Sequence, residues 1–271
     1  MPQLLKQDFD IDVSEAKVHR LMQLKGLQAS IRQRRKAKPT AGRLTIQAEL
    51  PNILNRQFFA EKPKHRFVTD VTYIPYKEHG EIKWGYLSFV QDLFDRSIVA
   101  WVFSRKQDLQ LGLSTLALLK KHGVEPGAIL HSDRGSIYTS TAFKETAQMI
   151  GLEQSFSRAG NCHDNATMES FNGTYKVEAL YNPLHQQSEC LTFVEQNRCI
   201  EAYIDFYNNK RPCSVTGNMA PVEYRLHYYE SHRNDGEETD IERVKSLSQF
   251  NGGAPLCGEE AVHLRKDLTR Y

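Results

Sequence analysis

The chain has 271 residues, of which 40% are hydrophobic and 25% charged, and its formal net charge is +2. This length predicts one large domain or two small ones, and the composition excludes collagen-like, disordered and coiled-coil proteins for most of the chain. The longest unbroken apolar stretch, residues 98–103, is far shorter than the roughly 20 residues of a membrane-spanning helix. The first residues lack the apolar core of a secretory signal, so we expect a cytoplasmic protein without membrane contact.

The first part of the chain is basic. Residues 1–66 hold 14 Lys and Arg against 6 Asp and Glu. Five of these cations fall in residues 31–38, a density that attracts polyanions such as DNA, although a solvated linker would carry the same charge. The residues of this run that we expect to contact DNA are Arg32, Arg34, Arg35 and Lys36.

A short helix is predicted ahead of the basic run. In residues 14–27 the apolar positions have helical spacing, Ser14 can cap the helix and Gly26 can end it. Because so short a helix does not stand alone, residues 1–38 are predicted to form part of a small helical DNA-binding region. Weak periodicity over residues 39–63 predicts a linker.

Residues 64–226 are predicted to form a mixed α/β domain. Three strand-like runs form an antiparallel meander, and helices and strands then alternate, which is typical of a mixed sheet covered by helices. The predicted strands are residues 66–73, 86–91, 98–103, 128–131 and 152–157. The predicted helices are residues 109–122, 141–150, 164–180 and 189–209. The acidic remainder, residues 227–271, is expected to be poorly ordered.

Two aspartates occupy unusual positions in this pattern. Asp70 lies within a β-branched and aromatic strand, where a carboxylate is costly unless it is paired or binds a cation. Asp133 directly follows a strand, at the end where α/β sheets gather ligands. A salt bridge at Asp70 and a turn-forming role at Asp133 are the structural alternatives. For the other acids of this region, Asp92 and Asp95, capping of a hairpin turn is the simpler explanation.

A third acid, Glu169, lies on a predicted helix whose polar and apolar residues form two separate stripes along its surface. The polar stripe consists of Asn165, Glu169, Asn172 and Lys176. Met168, Phe171 and Tyr175 form the adjacent apolar stripe, which would hold the helix on the sheet. An ordinary amphipathic helix with a solvated polar face is the alternative.

Taken together, two strand-associated aspartates and one helical glutamate supply the oxygen ligands that a hard divalent cation needs. Two such ions roughly 4 Å apart can activate an attacking hydroxyl and stabilise the leaving oxygen of a phosphodiester. Lys176, two turns after Glu169, would then hold a DNA phosphate.

Three segments follow one another at a characteristic spacing. They are residues 67–73 (FVTDVTY), residues 131–140 (HSDRGSIYTS) and residues 160–166 (GNCHDNA), the last running on to Glu169 and Lys176. Thirty-five residues separate Asp133 from Glu169. These features resemble the insertion-sequence transposases with a retroviral-integrase-type core, in particular the OrfB product of the large bacterial family numbered three. Residues 203–212 and 220–224 resemble the segment that closes this core.

The resemblance implies a fold, a site and a reaction. The fold is an RNase H-like mixed five-stranded sheet flanked by helices, with a small helical N-terminal region and C-terminal helices. The site is an acidic triad of Asp70, Asp133 and Glu169 that binds Mg²⁺ or Mn²⁺, with two ions expected. The reaction is cleavage of a strand at the element's end by water, followed by attack of the freed 3′-hydroxyl on a second phosphodiester.

Partners and alternatives also follow from the resemblance. DNA is the expected partner, contacted near the triad by Lys176, Asn172 and Arg134. A helix-turn-helix protein from an upstream frame, a homo-oligomer on DNA and a nucleoid-associated location in a bacterium are expected as well. Two alternatives remain: an inactive or domesticated relic that only binds DNA, and a stand-alone RNase H-like nuclease that cuts without joining.

Overall fold

The computed structural model describes residues 2–27, 50–158, 162–180 and 191–232. Its strands are β1 (Arg66–Glu78), β2 (Glu81–Asp92), β3 (Ile98–Ser104), β4 (Ala128–Ser132) and β5 (Leu152–Phe156). Its α-helices are α1 (Pro2–Phe9), α2 (Glu15–Leu24), α3 (Leu109–His122), α4 (Ser136–Thr139), α5 (Thr141–Met149), α6 (Ala166–Tyr175), α7 (Phe193–Asn209) and α8 (Pro221–Ser231). A π-helical turn, Lys176–Leu180, continues α6.

The five strands form one mixed sheet in the order β3-β2-β1-β4-β5. β2 is antiparallel to both β1 and β3, whereas β4 runs parallel to both β1 and β5. This confirms the predicted meander followed by alternating helices and strands. Because β1, β4 and β5 are parallel, their carboxyl ends point to the same edge of the sheet.

Each face of the sheet is covered by helices through its own apolar cluster. On one face, α6 and α7 pack against the sheet, and Phe171 contributes ring contacts to Phe89 and Tyr207 at 4.8 and 4.9 Å between centroids. On the other face, α3 and α5 cover a cluster that includes Phe67 and Leu130. The apolar stripe of α6 is therefore buried, as its spacing predicts.

The predicted core elements agree with the structure except at their ends. β1 and β2 extend further than predicted because the hairpin pairs all the way from Phe67↔Asp92 to Glu78↔Glu81. α3 has the predicted bounds, since the Asp108 side chain accepts a hydrogen bond from the Leu111 N–H and Gly123 ends the helix. None of the helices in the described part of the chain has the length and apolarity that a membrane crossing requires.

Two segments differ from the predicted domain layout. Residues 50–63, predicted as part of a linker, lie on the core: Leu54 and Ala60 are buried, and the Phe156 N–H donates to the Pro51 carbonyl at 2.8 Å. The sequence missed this contact because it joins positions about a hundred residues apart without local periodicity. α8 continues to Ser231, beyond the predicted start of the tail at residue 227. Most of that tail and the basic run at residues 31–38 fall outside the described residues.

Candidate active site

Asp70 lies on β1, and Asp133 directly follows the neighbouring parallel strand β4. The parallel pairing of β1 with β4 ends at Val68↔His131, and each aspartate stands two residues beyond its own strand's member of that pair. Both are therefore carried to the same edge of the sheet, as the position of Asp133 after a strand predicts.

The Asp70 carboxylate is half-buried and held by two hydrogen bonds. Its Oδ1 accepts from the Val71 N–H at 2.8 Å, and its Oδ2 accepts from the Asn172 Nδ2 at 3.0 Å. Asn172 was predicted as a DNA contact, but in the structure its amide donates to Asp70. The Asn172 Oδ1 is buried and has no hydrogen-bond partner among the described residues.

Burial and the neighbouring negative charges disfavour the ionised form of the Asp70 carboxyl. Burial contributes most, followed by the charge of Asp133 and, to a smaller extent, that of Glu169, and together they raise the pKa of the Asp70 carboxyl to about 7. The two hydrogen bonds oppose this shift without cancelling it. Like charges on Asp133 and Glu169 therefore add to the effect of burial on the Asp70 carboxyl.

Asp133 combines a turn with an available oxygen. Its Oδ1 accepts from the Gly135 N–H at 2.9 Å, which is the turn-forming role weighed from the sequence. A Cβ at position 135 would stand 3.0 Å from that oxygen, so glycine lets the carboxylate fold over the turn. The side chain is exposed and its Oδ2 stays open to other partners.

Glu169 is exposed on the first half of α6. The buried side chains of Met168, Phe171 and Tyr175 fix the rotation of this helix against the sheet. That rotation directs Asn172 to Asp70 and places Glu169 one turn before Asn172, on the same side of the helix.

The three acids have the chemistry of a divalent-cation site. In the described part of the chain, no lysine or arginine forms an ion pair with Asp70, Asp133 or Glu169. Within the same residues, no three His, Cys, Asp or Glu side chains stand close enough together to enclose an ion. Since uncompensated carboxylates repel one another, a cation between them would favour a closer approach. The donor set, oxygens only and with excess negative charge, fits a hard divalent ion.

The other predicted contacts of the site have defined surroundings. Arg134 Nε donates to the Ser157 carbonyl at 2.8 Å, which ties this side chain to the exit of β5. Lys176 is half-buried at the start of the π-helical turn. Arg32, Arg34, Arg35 and Lys36 lie outside the described residues.

Asp92 and Asp95 serve the fold. Asp92 Oδ1 accepts from the Phe94 N–H and Asp95 Oδ1 from the Ser97 N–H, which confirms the predicted capping. The sequence missed their second role: both carboxylates are fully buried and form ion pairs with Arg225 of α8.

The sequence also missed an arginine clamp before α6. The fully buried Asp164 carboxylate accepts hydrogen bonds from Asn52, Arg56 and Arg158. Its donors come from segments up to 112 residues away, and nothing in the local pattern of the chain indicates them.

The sheet order, the helices on both faces and the acids at the carboxyl edge define an RNase H-like integrase core. Integrase core domain families match residues 60–162 and residues 150–221. A chain in the cryoEM structure of the simian T-cell lymphotropic virus intasome in complex with PP2A regulatory subunit B56 gamma has the same fold. It superposes with a TM-score of 0.53 at 16% identity, covering 71% of this chain and 62% of that chain.

Two relatives are similar over most of their length. The insertion element IS600 uncharacterized 31 kDa protein of Shigella sonnei is 33% identical over 209 residues, which cover 76% of this chain and 73% of that protein. The transposase for insertion sequence element IS629 of Shigella sonnei is 31% identical over 233 residues, which cover 86% of this chain and 74% of that protein. The chain belongs to the family of insertion-sequence transposases with an integrase core domain, as the sequence motifs imply.

Proposed function

We propose that this chain is the catalytic subunit of a DNA transposase, a polynucleotidyl transferase that cleaves and joins DNA strands at a site formed by Asp70, Asp133 and Glu169. The observation that carries this proposal is the charge distribution at the carboxyl edge of the sheet. Asp70 stands beside Asp133 and near Glu169 without a basic partner among the described residues, although burial already disfavours its ionised form. A protein gains nothing in stability from this arrangement, whereas a cation site requires it.

Asp70, Asp133 and Glu169 would hold Mg²⁺ or Mn²⁺ through their carboxylate oxygens, and two ions are proposed. When bound, such ions supply Lewis-acid activation of an attacking hydroxyl and stabilisation of the leaving oxygen. The residues of this chain orient the reacting groups: Asn172 fixes the Asp70 carboxylate, and Gly135 fixes that of Asp133. Glu169 of α6 would supply the third carboxylate.

DNA contacts and partners form the finer part of the proposal. Lys176, two turns after Glu169, and Arg134, next to Asp133, would bind DNA phosphates near the acids. Asn172 donates one N–H of its amide to Asp70, and its Oδ1 is buried, so only the second N–H of the same nitrogen would be available to a DNA phosphate. The basic run at Arg32, Arg34, Arg35 and Lys36 would add sequence-independent affinity. A helix-turn-helix protein from an upstream frame and a homo-oligomer on DNA are further proposals.

A strand-transfer assay tests the function. The substrate is a labelled duplex that ends in the terminal repeat read from the DNA flanking this gene, already cut at the 3′ end, with Mg²⁺ or Mn²⁺ present. We expect the wild type to join this end to a second duplex. Asp133→Asn and Glu169→Gln should abolish this joining but retain DNA binding, because they remove metal ligands and few phosphate contacts.

Glu153→Gln provides the matched control. Glu153 is an exposed glutamate on β5, near the end of that strand which points away from the acids. Its substitution should leave joining unchanged. Joining by Asp133→Asn would refute the site, and hydrolysis without joining by the wild type would favour a stand-alone nuclease. DNA binding with neither reaction would favour an inactive relic.

A further inference from the structure

The Asp164 carboxylate, which lies just before α6, accepts five hydrogen bonds. Its Oδ1 accepts from Arg56 Nε at 2.7 Å and from Arg158 Nη2 at 3.0 Å. Its Oδ2 accepts from Arg158 Nε, from the Arg158 backbone N–H and from Asn52 Nδ2, at 2.8, 3.0 and 3.1 Å. Both oxygens are saturated, and the Arg158 guanidinium holds the pKa of Asp164 well below its usual range.

This cluster carries surplus positive charge at the surface. Two guanidinium groups share one carboxylate, and the Arg56 and Arg158 side chains are 46% and 50% exposed. The Nη1 and Nη2 atoms of Arg56 and the Nη1 of Arg158 donate to no residue that the structure describes. Guanidinium donors of this kind recognise phosphate oxygens.

The cluster lies in line with the acids along the sheet edge. The pairing of β4 with β5 ends at Ser132↔Phe156. Arg134 and Arg158 are each two residues past that pair, so the two positions are neighbours at the carboxyl edge of the sheet. Neighbouring strands are about 4.8 Å apart, which puts the β5 exit roughly 10 Å from the Asp70 strand. One DNA strand carries a phosphate about every 3.4 Å of helix axis, so a strand held at the acids reaches Arg158 within about three phosphates.

Arg56 is held in place before any ligand arrives. Its φ of +62° and the φ of +43° at Asn55 are left-handed, a conformation that costs free energy in non-glycine residues. Asn52 Oδ1 accepts from the Asn55 N–H at 2.9 Å, and the Leu54 N–H donates to Ser155 Oγ at 2.9 Å, so the turn is fixed to β5. A guanidinium ordered in advance loses less entropy when it binds a phosphate.

We propose that Arg56 and Arg158, held on Asp164, form a phosphate-binding site for the DNA strand beside the acids, which rests on the proposed transposase function. The anchoring of α6 through Asp164 and the binding of phosphate through the outer guanidinium atoms are compatible, because they use different nitrogen atoms. The site adds a contact beyond Lys176 and Arg134, on the β5 side of the reacting phosphate.

The salt dependence of DNA binding by the full chain tests this site. A labelled duplex of about 30 base pairs is titrated without metal at about 50 to 300 mM KCl, where each phosphate contact contributes about 0.9 to the slope of log affinity against log salt. Arg56→Gln and Arg158→Gln should each reduce that slope by about 0.9. Over this range the wild-type affinity then falls about fivefold more than that of each variant.

Two further variants separate charge from folding. Arg56→Lys keeps the charge and should keep the wild-type slope. Lys121→Gln removes an exposed cation at the end of α3, near the start of β4 and so at the opposite sheet edge, and should leave the slope unchanged. Arg56→Gln leaves Asp164 with four hydrogen bonds and is therefore expected to fold. If Arg158→Gln does not fold, the salt slope of Arg56→Gln alone tests the phosphate site.

A wild-type slope in folded Arg56→Gln and Arg158→Gln would overturn the phosphate site. So would an equal loss of slope in Lys121→Gln, which would mean that total charge alone matters. Strand transfer by the wild type in the same preparation keeps the two proposals apart. If joining occurs while the slopes are unchanged, the phosphate site is wrong and the transposase function stands.

Discussion

Asp70→Asn tests the electrostatic cost of the acidic site. The pKa of the Asp70 carboxyl is raised from 3.8 to about 7 in the folded protein. Each tenfold change in proton affinity is worth about 1.4 kcal/mol, so the ionised carboxylate lowers the free energy of unfolding of the metal-free protein by up to about 4 kcal/mol above pH 7. Removing the charge should recover that stability.

The amide is a close replacement because its neighbour can adjust. Asp70 accepts from the Val71 N–H and from Asn172 Nδ2. After Asp70→Asn, the new oxygen can keep the Val71 bond, and a flipped Asn172 amide can accept from the new NH₂ group through its Oδ1. That Oδ1 has no partner among the described residues at present, so the substitution removes a charge without removing a hydrogen bond.

The sign of the pH dependence follows from proton binding. Between about pH 4 and pH 7 the folded wild type holds a proton at Asp70 that the unfolded chain has released, so its stability falls as pH rises through this window. Asp70→Asn lacks this dependence. Urea denaturation in EDTA should therefore find the two proteins closely matched near pH 4, and the variant more stable by up to about 4 kcal/mol near pH 8.

Divalent metal should reverse the order. At about 10 mM Mg²⁺ the wild type gains stability by binding the ion, whereas the variant has lost a ligand and gains little. Strand transfer should be absent in the variant. A stability difference that is the same at both pH values, or an equal Mg²⁺ effect on both proteins, would refute the assignment of Asp70 as an uncompensated ligand.

Three further substitutions probe other parts of the molecule. Lys176→Ala should reduce the salt slope of DNA binding by about one phosphate contact, measured by anisotropy. Arg225→Met leaves the buried Asp92 and Asp95 carboxylates without their cation, and should lower the free energy of unfolding by about 3–5 kcal/mol in denaturant titrations. Phe171→Ala opens a cavity between α6 and the sheet, and should cost about 3–5 kcal/mol by the same measurement.

Each of these substitutions has an outcome that contradicts it. An unchanged salt slope would remove Lys176 from the DNA contacts. Lys6→Met breaks an exposed ion pair with Asp10 and should cost less than about 1 kcal/mol, so an equal effect of Arg225→Met would deny any special role to burial. Phe171→Ala with wild-type stability would mean that α6 is held on the sheet by other contacts.

The sequence predicts those parts of the fold that are determined by interactions between residues close together in the chain. α3 is bounded correctly because a capping aspartate and a glycine mark its ends within the segment itself. C-terminal helices were expected from the family resemblance, but the local pattern did not indicate the bounds of α8, because its buried anchor is Arg225 and an arginine gives no apolar periodicity. Its burial becomes favourable only through Asp92 and Asp95, which are more than 120 residues earlier in the chain.

The candidate site divides in the same way. Asp70 is conspicuous in the sequence because an acid within a β-branched strand is out of place, and Asp133 because it follows a strand. The amide that orients Asp70 lies 102 residues away, on a helix where it looks like one more solvated polar residue. The hydrogen bonds of Asp164 could not be predicted for the same reason, since most of their donors are distant in the chain and meet Asp164 only after folding.

The buried acids of this chain show how structure and function divide the same chemistry. Asp92 and Asp95 share a buried arginine, and Asp164 is saturated by five hydrogen bonds from two arginines and an asparagine. Asp70 receives only an amide and a backbone N–H, and its charged neighbours are acids. Arginine therefore neutralises buried carboxylates elsewhere in this fold, whereas no arginine among the described residues pairs with Asp70, where we propose that a cation binds. A carboxylate without a cationic partner, in a core whose other buried acids are paired, is expected where the positive charge comes from a bound ion and not from another side chain.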